Sequence, residues 1–338
     1  MSFFVCGAMR RIGEENQLLR LDKLINWGAI DTLLTHIHKN DVDSRGGPIG
    51  YNHLSMFKAI LLGQWHSLSD PALEDALRVR LDFILFTGLE SPEEVPDETT
   101  LCRFRNVLIK KGLDVLLFQA INEQLEALGL KIEKASAAVV DATILQSACR
   151  PKKTLEVLPE DRKEPLTETP CLVKESADPD ARWLVKGKKA YFGYKGFVVV
   201  DAELGFIDQV HVTSANKAEC PELPSLLENV KASRVLADKG YASKANRNHL
   251  RACGMKDGIM HKAVKGTPLR YSQKLFNKLI SKKRYIVEQG FGTLKRRFHF
   301  ARASYMTRLK VEAQFRFKAI CFNLLKAINQ VKFVPKPA

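Results

Sequence analysis

The sequence predicts two folded parts, a helical N-terminal part and a mixed α/β domain. Three observations predict this. Apolar residues recur at helical spacing from Asn16 to about residue 130. A short apolar run at 137–140 then changes the period. After it, strand-like runs come first and alternate with helical ones, the order of a mixed α/β domain. A chain of 338 residues, at roughly 150 per domain, suits two such units, here bounded at 1–134 and 135–335.

The elements follow in order. Leu18, Leu19, Leu21, Leu24 and Ile25 begin one amphipathic stretch, and Ile30, Leu33, Leu34 and Ile37 a second. Gly46-Gly47-Pro48 breaks the chain before a helix over His53–Trp65. Asp70-Pro71 supplies a cap residue and a first-turn proline for the next helix, Ala72 to about Arg80. Pro92–Asp97 is an acidic turn, and Asp97 or Thr99 caps a helix holding Leu101, Phe104, Val107 and Leu108 with Arg103 and Arg105 beside it. Leu113–Leu130 completes the bundle. Short helices with tight turns are compatible with a helix-turn-helix-like DNA reader, and equally with a plain packing or dimerisation domain.

In the second part, Ala137–Val140 reads as a buried strand ending at Asp141, and residues 150–190 as a long loop of prolines and charges. Phe197–Val200 and Phe206–Val212 read as a hairpin turning at Asp201–Gly205. Pro221–Val230 is a helix, Val235–Ala237 a strand ending at Asp238, Lys244–Ala252 a helix and Gly258–His261 a strand. Phe276 to about Arg297 and Leu309–Val331 are the closing helices.

Composition excludes several classes. An apolar fraction of 45% and a charged fraction of 27% belong to an ordinary globular protein. No window approaches the roughly 18 apolar residues of a transmembrane helix. Met1–Met9 is too short an apolar run for a signal peptide, and Arg10 and Arg11 follow it rather than precede it. Seven scattered cysteines without a C-x-x-C pair argue against a disulfide framework or a cysteine zinc site and fit a reducing cytoplasm. Phosphate-loop, dinucleotide-binding, zinc-protease and serine-hydrolase motifs do not occur, and His36 and His38 point to different sides of a helix.

Charge is unevenly placed. Residues 231–338 hold 26 Lys and Arg against 4 Asp and Glu, a net +22, while residues 1–100 carry a net −6. A segment this basic yet rich in Phe, Leu and Ile reads as a folded surface facing a polyanion, with nucleic acid the leading partner. Solubility alone is the plainer explanation, and an anionic membrane a weaker one. The four acids of the segment are Asp238, Asp257, Glu288 and Glu312. A carboxylate among phosphate-binding cations repels the polyanion unless a divalent metal sits between them, so these four are candidate metal ligands.

Asp141 and Asp238 follow strands, where α/β sheets collect their ligands, though either alone reads as well as a turn residue. At about 100° per residue, Glu288 lies about 40° and Lys295 about 20° from Arg284, so the three share one helix face. That stripe is either a metal-holding acid between two phosphate-binding cations or an Arg284–Glu288 salt bridge.

Taken in order, Val139-Val140-Asp141-Ala142-Thr143, Tyr191-Phe192-Gly193-Tyr194-Lys195, Leu236-Ala237-Asp238-Lys239-Gly240-Tyr241 and Arg284-x3-Glu288-x6-Lys295 resemble the DDE transposases of bacterial insertion sequences. The nearest group is the one named after insertion sequence number five. Pro96-Asp97-Glu98-Thr99-Thr100-Leu101-Cys102-Arg103-Phe104-Arg105 is similar to that group's helical N-terminal domain. The resemblance spans about residues 16–330. It implies a ribonuclease H-like catalytic domain with Asp141, Asp238 and Glu288 as a metal-binding catalytic triad. It also places Arg284 and Lys295 in a Y-x2-R-x3-E-x6-K signature, whose tyrosine position is Ser281 here.

The implied activity is cleavage at the ends of an insertion sequence and joining of the freed 3′-OH to target DNA. The implied cofactor is Mg²⁺ or Mn²⁺, two ions about 3.5–4 Å apart. The implied partners are double-stranded DNA, as terminal inverted repeats and target, and a second copy of the chain, in a bacterial cytoplasm at the nucleoid. DNA contacts are expected from Arg284 and Lys295, and in the N-terminal domain from Arg103 and Arg105. A transposase-derived protein that binds DNA without cutting it is the competing reading.

Overall fold

The computed structural model describes residues 7, 12–13, 15–35, 37, 50–89, 95–151, 153–156, 171–174, 176–264 and 266–331, the two short stretches at 153–156 and 171–174 as backbone only. Gly46-Gly47-Pro48, His36, His38 and the first half of the acidic turn, 92–94, lie outside them.

The helical part comprises α1 (Gln17–Leu24), α2 (Trp27–Leu34), α3 (His53–His66), α4 (Asp70–Val79), α5 (Leu81–Thr87), α6 (Glu98–Lys110) and α7 (Leu113–Ala127). Side-chain caps start most of them. Asn16, Asn26 and Asn52 accept from backbone N–H groups of α1, α2 and α3. Asp97 caps α6, its Oδ1 accepting from Thr100 N at 2.7 Å. The cap of α4 is Ser69 rather than Asp70: its Oγ accepts from Ala72 N, and Asp70 enters the first turn beside Pro71. Met56 to Trp65 of α3 are all buried, so this helix forms the centre of the bundle.

The mixed domain contains β1 (Ala138–Gln146), β2 (Lys153–Glu156), β3 (Cys171–Lys174), β4 (Arg182–Lys186), β5 (Lys189–Asp201), β6 (Ile207–Ser214), α8 (Leu223–Leu226), β7 (Arg234–Ala237), α9 (Lys244–Ala252), β8 (Lys256–Ile259), α10 (Tyr271–Arg296) and α11 (Arg308–Gln330). The sheet runs β4-β5-β1-β7-β8, with β6 also on β5. β1, β5 and β6 pair antiparallel, while β7 and β8 continue parallel from β1. The helix expected over Pro221–Val230 shrinks to a 3₁₀ turn and the one-turn α8, because Pro221 and Pro224 leave few backbone donors.

Two expectations are corrected. Residues 150–190 are not one loop, since β2, β3, β4 and the start of β5 fall there. β4 buries no complete face, so no apolar alternation betrays it in the sequence. β1, for its part, continues to Gln146, which puts Asp141 in mid-strand instead of at its end.

Side chains alternate across the sheet. Val139, Leu145, Tyr194, Val198, Val200 and Leu236 face a core shared with α10 and α11. Ala138, Val140, Phe197, Val199, Val235 and Ala237 face Leu223, Leu226 and Leu250. Gly193 and Gly196 on β5 permit its close approach to β1: a Cβ on Gly193 would stand 2.2 Å from Leu145 O. The Asp201–Phe206 turn is held by Asp201, whose buried carboxylate accepts from the N–H groups of Glu203, Leu204, Gly205 and Phe206.

Helix α11 joins the two parts. It packs on β6 on one side and on α3 and α7 on the other. Asn323 Oδ1 accepts from Ile207 N at 2.9 Å, and its Nδ2 donates to Asn122 Oδ1 at 2.7 Å. Arg316 bridges Asp114 of α7 (2.7 Å) and Glu312 (2.6 Å). No helix among the described residues is long and apolar enough to cross a membrane.

Candidate active site

Register brings two of the expected acids together. β1 and β7 pair in parallel as Val139 with Leu236 and Val140 with Ala237. Asp141 and Asp238 are the next residue of each strand, so they stand side by side. Val139 and Leu236 face α10, and by strand alternation the residues two further on face it too. There they meet Arg284, whose Nη2 lies 2.7 Å from Asp141 Oδ2 and whose Nη1 lies 3.7 Å from Asp238 Oδ1. The guanidinium therefore sits between the two carboxylates instead of pairing with Glu288 one turn on. Its Nε is buried without a partner.

The pair is electrostatically tense. Burial holds the Asp141 carboxyl above the ordinary aspartate range; the Arg284 charge opposes this, and the Asp238 charge adds to it. Asp141 also accepts from Ala142 N at 2.8 Å, and Asp238 from Lys239 N at 2.7 Å. The hydroxyl of Tyr241 is buried with no partner, and its pKa is pushed up by burial and by the charges of Glu219, Asp141 and Asp238.

The other acids of the basic segment separate clearly. Glu312 is consumed by Arg308, Arg316 and His211. Asp257 pairs with Arg247. That leaves Asp238 and Glu288. Glu288 is exposed on α10, one turn beyond Arg284. Among the described residues no three His, Cys, Asp or Glu side chains stand close enough together to hold one metal ion. The structure thus brings Asp141 and Asp238 together around a cation, with Glu288 on the helix above and not drawn to them.

Of the expected DNA contacts, Lys295 lies half-buried near the end of α10, its pKa lowered by burial and by the charge of Lys186. Arg103 is exposed. Arg105 requires correction. It is 8% exposed, makes a bidentate pair with Asp70 at 2.7 and 2.8 Å, and lies over the Tyr305 ring at 4.3 Å. Its charge is committed to Asp70 and Tyr305 within the fold and is not presented on a free surface. Ser281, at the signature tyrosine position, is exposed with its hydroxyl 3.8 Å from Met260 Sδ.

Sequence reading missed Glu219, which pairs with Lys195 Nζ at 3.3 Å and lies beside Gly240. It stands outside every motif, so no spacing signal marked it. Tyr241 and Lys195 sit within noted motifs but had no assigned role.

Comparison with known proteins identifies the family. The family described as Transposase DDE domain matches residues 133–324, and the family described as Transposase domain (DUF772) matches residues 8–107. The chain is 47% identical over 231 residues to the transposase for insertion sequence element IS1106 of Neisseria meningitidis serogroup B, covering 68% of this chain and 78% of that protein. No solved structure matches.

Proposed function

The chain belongs to the DDE transposases of insertion sequences, and from that premise we propose that it cleaves phosphodiester bonds at the ends of its element and joins the freed 3′-OH to target DNA. The observation that carries this reading is the Asp141–Asp238 pair, two acids side by side on parallel strands and held by Arg284. A close, half-buried pair of like charges costs stability, and such pairs cluster where chemistry uses them.

The donor set fits a hard divalent cation. Two adjacent carboxylates supply oxygen ligands, a cationic group already lies between them, and a buried hydroxyl without a partner stands nearby. Asp141 and Asp238 would hold Mg²⁺ or Mn²⁺, with Glu288 as the third ligand of a two-ion site. When bound, such ions activate the attacking oxygen and stabilise the leaving one in an in-line displacement at phosphorus.

The chain's own residues do the rest. Asp141 and Asp238 are kept close by the β1–β7 register, so the seat is formed before DNA arrives. Arg284 neutralises the aspartates and is the nearest cation for a phosphate entering the site. Lys295, at the far end of the same helix, binds a phosphate further along the backbone, and Arg103 is the remaining candidate contact in the helical part.

We read 135–335 as the ribonuclease H-like catalytic domain; its antiparallel start and parallel continuation support this. Residues 1–134 form the DNA-end-binding domain. The working form is a dimer or larger assembly on two ends, in the cytoplasm.

The test is incubation with DNA containing the ends of its own element. Nicked ends and joined products are expected with Mg²⁺ or Mn²⁺, lost with chelator and restored by added metal. Binding without any cut or joined product under all metal conditions would overturn the reading in favour of a DNA-binding protein that has lost its chemistry.

A further inference from the structure

β4 and the start of β5 form a two-stranded ribbon that leaves the main sheet. β5 pairs with β1 only as far as Gly193 and with β6 only as far as Tyr194. Among the described residues, Lys189–Tyr191 therefore pair with β4 alone, and Phe192 is the last residue tied back to the end of β1, its carbonyl accepting from Ser147 N at 2.9 Å. The root of the ribbon is firmly anchored. Buried Asp178 accepts from Ser147 Oγ at 2.6 Å, from the Tyr194 hydroxyl and from Thr307 N at 3.2 Å, and Asp180 accepts from Arg308 N at 2.8 Å.

The outer part is bare. Trp183 is 51% exposed and Val185 is 70% exposed, and register places them opposite Phe192 and Ala190 on one face. On the other face Lys186 stands directly opposite Lys189, across a two-residue turn of Gly187, at φ 63°, and Lys188. All three lysines are exposed, and none forms an ion pair among the described residues. Like charges in a cross-strand pair destabilise a hairpin. Trp183 rests on Phe192 opposite, with ring centroids 5.5 Å apart, which steadies the ribbon, yet half of Trp183 and most of Val185 stay bare. The ribbon alone gives no reason for the lysine pair or for this bare apolar surface, whereas a polyanion with apolar surface between its charges accounts for both.

We infer that this ribbon enters the major groove of the duplex held at the active site, with Lys186, Lys188 and Lys189 against phosphates and the Trp183–Phe192 face against sugars and base edges. The major groove, about 12 Å wide, admits a two-stranded ribbon. The charge of Lys186 reaches Lys295 on α10 and, after burial, helps lower its pKa, so the ribbon tip lies on the same side as the helix that carries Arg284 and Glu288. The inference rests on the DNA-transposase reading and adds to it a specific gripping element.

The experiment titrates the full chain with a duplex carrying one end of its own element, at several salt concentrations. Binding of the wild type by itself checks the underlying reading; if it binds no DNA, that reading fails, and this one with it. With binding established, Lys186→Ala/Lys188→Ala/Lys189→Ala is expected to flatten the slope of log affinity against log salt by about 2–3 units. Trp183→Ala is expected to weaken binding about tenfold at every salt concentration with the slope unchanged. Lys189→Glu turns the like-charged pair into an opposite one, so its melting temperature should hold or rise while DNA affinity falls. Trp27 and Trp65 are buried, so iodide quenching of tryptophan fluorescence reads Trp183, and duplex should protect it. An unchanged slope in the triple variant, with Trp183 still open to iodide at saturating duplex, would overturn the inference while leaving the transposase reading intact. Protection of Trp183 by raised protein concentration without DNA would overturn it too, because the face would then be a contact between copies.

Discussion

Arg284 and Asp141, 143 residues apart in sequence, form an ion pair at 2.7 Å with side chains only 12% and 19% exposed. The pair ties α10 to β1 beside Asp238, so the helix that carries Glu288 is positioned by these two acids. Arg284→Gln leaves two neighbouring carboxylates without their cation. The expected loss is about 2 kcal/mol of stability, below the roughly 3–5 for a fully buried pair because Asp238 is partly exposed. Added Mn²⁺ should raise the melting temperature of this variant more than that of the wild type. Equal melting curves, with and without metal, would show that the guanidinium is not the charge partner of the site.

Arg103 and Arg105 lie two residues apart on α6 and should separate cleanly. Arg105→Ala removes one partner of a pair that is nearly buried on the arginine side, so about 3 kcal/mol of stability should be lost. Its DNA affinity, measured well below the melting transition, should be unchanged. Arg103→Ala should leave melting unchanged and weaken DNA binding. Thermal denaturation together with DNA titration of both variants decides the assignment, and an inert Arg103→Ala would remove α6 from the DNA surface.

The contrast between these arginines marks how far the sequence was legible. Periodicity located most helices of the first part, because a buried helical face leaves an apolar stripe whatever it packs against, but it missed the short α5, and of the caps only Asp97 was read correctly. Charge counting reduced the acids of the last third to four, and strand-end reasoning singled out Asp238 and Asp141, although Asp141 lies in mid-strand and the β1–β7 register is what sets them side by side. Other features were not readable. Whether an arginine faces solvent or folds onto Asp70 depends on a contact 35 residues away, which helix periodicity does not encode. β4 escaped notice because a ribbon exposed on both faces carries no alternation. The same holds for Glu312, whose partners on α11 and β6 meet only after the sheet has formed.

Lys295 is expected to contact a phosphate. Lys295→Ala should flatten the salt dependence of DNA binding by about one unit of slope, the counterion release of one contact. An unchanged slope would make it an ordinary half-buried lysine near the end of α10.

His211 lies between Glu312 (3.2 Å) and Glu222 (3.3 Å), and its pKa is raised above 6.5, first by the hydrogen bond to Glu312, with burial opposing. A histidine with a raised folded pKa stabilises the fold fully below its unfolded pKa, and the contribution disappears as pH rises through the folded value. Melting temperature should therefore fall as pH rises above the ordinary histidine value of 6.5. His211→Gln should flatten that fall. An equally steep profile in the variant would place the pH dependence elsewhere.

Asp238→Asn tests the central claim most directly. The change is nearly isosteric, relieves the repulsion of Asp141, and removes one carboxylate from the proposed metal seat. With element-end DNA and Mg²⁺, cleavage and joining should fall by about three orders of magnitude or more. DNA-end binding should stay intact or tighten, and the melting temperature should hold or rise. Cutting and joining at near wild-type rate by this variant would contradict the account, because Asp238 would then be a turn residue at the end of β7 and the paired acids would not be the catalytic centre.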